Sequence, residues 1–105
     1  MLGSVLEIRT AEDGSVVICP HGAGDPGRAD ELRHALVHAL RRVRPLKLII
    51  DLNDVSELDP FELGSVAAAC DLGDDHHVSV FVCSRSGAVA ARLTAAGVSP
   101  SRLRR

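Results

Sequence analysis

Apolar and polar positions alternate along the chain with two different periods, and the change of period marks its elements. Two short runs rich in β-branched residues, Val5–Thr10 and Ser15–Cys19, flank the polar Ala11–Gly14. Asp13-Gly14 is a strong turn signal, so the opening predicts a β-hairpin. Residues 20–27 hold three glycines and two prolines and predict a loop. From Ala29 to Val43 the period becomes helical: Leu32, Leu36, Ala39, Leu40 and Val43 fall on one face. Pro45 ends that helix, because the residue before a proline avoids the α region.

Leu46–Leu52 (LKLIIDL) and Val78–Cys83 (VSVFVC) are short, nearly continuous apolar runs, the pattern of strands buried on both faces of a parallel sheet. Between them, Asp59-Pro60-Phe61-Glu62 is a helix start: Asp59 caps, Pro60 suits the first helical position, and Glu62 completes a capping box. This helix is expected to run to about Leu72, with Gly73 as its stop. A third helix is expected over Ser86–Ala96, closed by Gly97 and followed by Pro100. The order β-β-α-β-α-β-α predicts an α/β fold with a mixed, mainly parallel sheet. The long strands 46–52 and 78–83 should pair in parallel. Residues 1–98 are assigned to one domain, and 99–105 to a basic, frayed C-terminal tail.

Composition narrows the function. A chain of 105 residues is one domain, and 46% hydrophobic with 25% charged residues is ordinary for a globular protein. With two Phe and no Trp or Tyr, base stacking is nearly unavailable; a net charge of −2 is not the footprint of a nucleic-acid or anionic-membrane binder. No apolar stretch approaches the ~18 residues of a membrane helix. Met1-Leu2-Gly3-Ser4 starts no signal peptide, so membrane insertion is not expected and a cytoplasmic location is. The three cysteines, Cys19, Cys70 and Cys83, form no CxxC, which argues against a disulfide framework or a zinc ribbon and fits a reducing compartment.

Few patterns carry chemistry. Gly22–Gly27 is a literal GxGxxG, with Asp51 at the end of the next strand. Pro26 and Asp25, however, fall where backbone N–H groups would face a pyrophosphate, and a glycine-rich surface loop is the preferred reading. His34 and His38 share a helix face with Asp30, Arg41 and Arg42, the mark of a solvated surface; His76-His77 belong to a turn. No catalytic motif is present, so no enzyme, cofactor or metal is expected. The acids Asp51, Asp54, Glu57, Asp59 and Glu62 gather at a strand's C-terminal end and a helix start, the edge where parallel α/β sheets place their sites. Phe61 sits among them, either tucked under the sheet or exposed as an interface anchor.

Taken in order, three blocks resemble the STAS domain family, the fold of bacterial anti-sigma factor antagonists. They are Gly22–Arg33, with Gly22, Asp25 and Glu31-Leu32-Arg33; Leu48–Val66 (LIIDLNDVSELDPFELGSV); and Ser86–Val98 (SGAVAARLTAAGV). The resemblance covers about Val5 to Val98. It implies a non-enzymatic regulatory module in sigma factor and transcription regulation, docking a protein partner such as an anti-sigma factor or serine kinase, with a homodimer left open. By the same resemblance, Asp25, Asp59, Phe61 and Glu62 form the partner-binding edge. The family motif reads Asp-Ser-Ser-Gly-Leu-Gly, and its second hydroxyl residue accepts a phosphoryl group. Here Asp59 and Leu63-Gly64 match, but Pro60 and Phe61 replace the hydroxyl residues and Glu62 replaces the glycine. The position matching the phosphosite is therefore Phe61, which has no hydroxyl, and Glu62 would offer a fixed negative charge beside it. The helix after the motif is expected to be short, and the family's last strand to be replaced by the basic tail. The alternatives are a STAS-like accessory subunit of a transporter or of a multi-protein signalling assembly, and a small-ligand or nucleotide binder using Gly22–Gly27.

Overall fold

The computed structural model of the chain describes residues 6–22 and 26–105. Strands β1 (Leu6–Thr10) and β2 (Val16–Pro20) form the expected hairpin, antiparallel with Leu6 opposite Pro20 and Thr10 opposite Val16. Val5, expected to open the first strand, lies outside the described residues. The turn is closed by Ala11 N–H donating to Ser15 O at 2.8 Å, and by Ser15 N–H donating to the Asp13 carboxylate at 2.9 Å. Helix α1 (Pro26–His38) continues into one π-helical turn, Ala39–Val43, which ends on Arg44 in the left-handed region (φ 51°) just before Pro45. Strand β3 (Lys47–Asp51), helix α2 (Pro60–Asp75), strand β4 (Ser79–Cys83) and helix α3 (Gly87–Ala95) follow.

The sheet order is β1-β2-β3-β4-β5, and β3 and β4 pair in parallel, as the two apolar runs predict. Each crossover moves one strand further in the same direction. Because such crossovers are right-handed, successive helices land on one face. The core lies there: Ile18, Leu48, Ile50, Val80 and Val82 from the sheet pack with Leu36 and Leu40, Leu63 and Val66, and Val89 and Leu93 from the helices. The expectation of strands buried on both faces is thereby corrected. On the far face Ile49 and Phe81 are only half-buried, since none of the described helices lies on that side.

Two further expectations change. Helix α2 does not stop before Gly73 and is not short; it runs 16 residues to Asp75. Gly73 is in the helix because the sheet is too close for a side chain: a Cβ there would lie 2.5 Å from Val80 Cγ2 and 2.8 Å from Val78 O. The stop is His77, left-handed at φ 60°, in a Schellman motif closed by Val78 N–H to Gly73 O (2.8 Å) and His77 N–H to Asp74 O (3.3 Å). Nor is the C-terminal end frayed. After a 3-10 turn, Pro100–Arg102, strand β5 (Leu103–Arg104) pairs in parallel with β4. Arg102 grips both Asp74 carboxylate oxygens at 2.8 Å, and its pKa is raised first by that hydrogen bond; Arg104 stacks over the Phe81 ring at 4.6 Å. These contacts hold the last strand in place of a loose tail.

Candidate functional site

At the C-terminal ends of β2 and β3 two loops meet the start of α2. Gly22 adopts φ 81°, a conformation glycine tolerates without strain, and its N–H donates to Asp54 O at 3.1 Å. Asp59 caps α2: its carboxylate accepts from Glu62 N–H at 2.8 Å, while Glu62 Oε1 accepts from Asp59 N–H at 3.2 Å. The capping box read from the sequence is therefore formed. From α3, Arg92 donates to Leu58 O at 2.8 Å, and from the loop before α3, Arg85 N–H donates to Asn53 Oδ1 at 2.8 Å. The β3–α2 loop is thus tied to three other segments.

The centre of the assembly is an ion pair that sequence reasoning missed. Arg28 and Glu62 have wholly buried side chains (0% exposed each). Arg28 Nε donates to Glu62 Oε2 at 2.6 Å and Nη2 donates to Glu62 Oε1 at 2.9 Å, a bidentate arrangement. The remaining guanidinium donors reach the carbonyls of His21 (3.1 Å), Gly22 (2.6 Å) and Glu57 (2.7 Å). One cation therefore joins the loop after β2, the loop after β3 and the first turn of α2. A buried pair gives little net stability by itself, but removing one partner leaves an uncompensated charge and costs about 3–5 kcal/mol. A signal was present in the sequence: an arginine in the first turn of a helix opposes the macrodipole and calls for a specific partner.

The expected docking residues separate. Asp25 lies outside the described residues. Asp59 is half-buried at the cap. Phe61 is 82% exposed, which resolves its two readings in favour of the surface. Glu62, expected to present a fixed negative charge on this edge, is corrected: it points into the core and Arg28 neutralises it. The five acids form no single patch. Asp51 accepts from Asn53 N–H, and Asp54 accepts a 3.0 Å contact from His21. Glu57 is exposed, and joins the centre only through its backbone carbonyl. His34 and His38 are exposed on α1 and His77 lies in the turn after α2.

Phe61 stands at one end of a groove of about 650 Å³ between α1 and α2, with Leu36, Leu40 and Leu72 among its lining residues and Arg33 and Asp75 at its borders. The arrangement presents an exposed aromatic side chain on a braced helix start beside an apolar groove.

A family model described as "STAS domain" matches residues 7–102. No curated protein matches the chain in sequence. Among solved structures, SpoIIAA, described as a Bacillus cell fate determinant in its phosphorylated form, superposes with a TM-score of 0.77 at 15% identity, covering 94% of this chain and 88% of that one. A variant of RsbS from Moorella thermoacetica gives 0.77 at 20% identity, covering 95% and 84%. An anti-sigma factor antagonist from Mycobacterium paratuberculosis gives 0.75 at 26% identity, covering 93% and 82%.

Proposed function

The chain belongs to the STAS domain family, and from that premise we propose that it is a non-enzymatic regulatory module of the anti-sigma factor antagonist kind, docking a protein partner through the first turn of α2. The observation that carries the reading is Phe61, 82% exposed in a chain with only two phenylalanines. What sets Phe61 apart is that it borders an apolar groove, and aromatic anchors beside such grooves dominate interface energetics. Its backbone is fixed by the Asp59–Glu62 capping box and by Arg28, so little ordering cost remains to be met on docking. In this reading Asp59, beside the anchor, and Asp25, which the family resemblance assigns to the same edge, steer a basic partner surface, so association weakens as salt rises. Glu62 braces the edge from inside and touches no partner.

The resemblance aligns Phe61 with the phosphoacceptor of the family motif. Neither Pro60 nor Phe61 carries a hydroxyl, so in this reading docking is not switched by phosphorylation at that position. The partner is an anti-sigma factor of the serine-kinase type, and the location is cytoplasmic. Among the described residues no helix is long and apolar enough to cross a membrane.

Calorimetric titration against purified kinase-type anti-sigma factors from the same organism tests the proposal, with Phe61→Ser as the discriminating variant. An exposed anchor predicts an affinity loss of about 2 kcal/mol or more, near thirtyfold, with stability within about 0.5 kcal/mol of the wild type. Undiminished binding by Phe61→Ser, or no binding of the wild type to any of these factors, refutes it.

A further inference from the structure

Outside the docking edge, three side chains of different chemistry converge at the end of β2. Cys19 lies in β2 and His21 one residue past its end; the His21 ring stands beside Glu7, 3.4 Å away, and Glu7 is the residue paired with Cys19 across the hairpin. The buried core residue Ile18 precedes Cys19, so Cys19 looks toward the sheet face away from the described helices. Asp54 comes from the β3–α2 loop. Its backbone is fixed by Gly22 N–H donating to Asp54 O at 3.1 Å and by the bridge between Gly22 and Val55. One ligand atom from each residue, a thiol sulfur, an imidazole nitrogen and a carboxylate oxygen, lies within 4.8 Å of the others.

We propose that Cys19, His21 and Asp54 bind one divalent zinc-class cation. Two ligands of a tetrahedral zinc stand roughly 3.3–3.8 Å apart, given metal–ligand bonds of about 2.0–2.3 Å. The widest pair therefore needs to close by about 1–1.5 Å and the 3.0 Å His21–Asp54 pair to open by a few tenths of an ångström, adjustments that rotation of the exposed Asp54 side chain can supply. The imidazole is already aimed: Nδ1 is 3.0 Å from Asp54 Oδ2, and Nε2 is 3.4 Å from Glu7 Oε1. With Nδ1 on the metal, Nε2–H donates to Glu7, the carboxylate–histidine–metal relay that orients ligating histidines. Glu7 is placed for this by strand register, directly opposite Cys19. Sulfur, nitrogen and oxygen donors together favour a borderline cation over magnesium or calcium, which prefer oxygen alone. On binding, the Zn–S bond forms as the thiol proton leaves to solvent, with no change of oxidation state. Three protein ligands leave the fourth position to water. The site uses none of the docking residues, so either reading can fail alone.

The test uses the full chain, reduced and stripped of metal, titrated with Zn²⁺ by calorimetry and with Co²⁺ by absorption. The expected result is one equivalent bound, with a thiolate-to-cobalt charge-transfer band. Cys19→Ser abolishes the band, His21→Gln and Asp54→Asn each weaken Zn²⁺ binding at least tenfold, and Glu7→Gln weakens it about 10–100-fold. Cys83→Ser and His34→Gln leave both readouts unchanged. If Cys19→Ser loses its fold by circular dichroism, His21→Gln and Asp54→Asn decide the matter, since both side chains are partly solvated. Absence of a saturable single equivalent, a band that survives in folded Cys19→Ser, or wild-type binding by His21→Gln and Asp54→Asn overturns the proposal.

Discussion

Removing the Glu62 carboxylate isolates the energetic role of the buried ion pair. In Glu62→Ala, Arg28 loses contacts of 2.6 and 2.9 Å and keeps the carbonyls of His21, Gly22 and Glu57 around a positive charge buried from water. Breaking such a pair costs about 3–5 kcal/mol, and losing half of the capping box adds to it. Domains of this size hold only about 5–15 kcal/mol, so the variant stands near its stability limit. At about 4–8 °C per kcal/mol, the melting temperature should fall by roughly 12–40 °C. The double variant Arg28→Met/Glu62→Leu removes both charges while filling similar volume. It should recover much of the loss yet remain about 1–3 kcal/mol short, because three loop carbonyls lose their donor. Urea unfolding of the wild type, Arg28→Met, Glu62→Leu and the double variant gives the coupling free energy, expected to exceed about 2 kcal/mol. A Glu62→Ala loss under about 1 kcal/mol, or additive single effects, would refute the argument that Arg28 and Glu62 act as one unit.

Asp59→Ala removes the acceptor for Glu62 N–H, 2.8 Å away, and should cost about 0.5–2 kcal/mol by denaturant titration; an unchanged midpoint would show that the cap contributes nothing. Gly73→Ala forces a methyl group against Val80 and the Val78 carbonyl and should destabilise by about 1–3 kcal/mol, although alanine is normally the better helix former; a gain in stability would mean that α2 can lift away from the sheet. Hydrogen exchange should find the Ser84 amide protected, since it donates to Arg104 O at 2.9 Å, and a chain ending at Ser101 should lose that protection; rapid exchange in the full chain would mean that β5 does not persist in solution.

The fold was largely legible because its signals are local. Asp13-Gly14 marks the hairpin, Asp59 to Glu62 writes out a capping box, and Gly97 closes α3 through the Schellman bond from Val98 N–H to Leu93 O. Other features depend on contacts far along the chain. Gly73 reads as a helix stop but is small because Val80 is near, and the true stop, His77, is not a glycine, the residue that usually marks a left-handed cap. Leu103 and Arg104 carry too short a pattern to announce a strand, and only β4 beside them makes one. At the candidate site the exposed Phe61 remained ambiguous, because local sequence does not reveal which face of a helix start meets the sheet. Glu62 misled for a related reason: acids are usually solvated, and its buried partner lies in another helix.

The sequential order of the sheet bears on how the chain finds its structure. Val16 lies beside Leu48 and Lys47 beside Ser79, so these two parallel pairings each close a segment of about thirty residues, and the pairing of Val82 with Leu103 closes a shorter one. Loop-closure entropy grows only with the logarithm of loop length, so these two closures carry similar costs. Each new strand meets an edge already formed by its predecessor, and no early strand waits with both sides bare for a late one. That removes the long-lived unpaired edges that make many parallel sheets slow and prone to aggregate while they form.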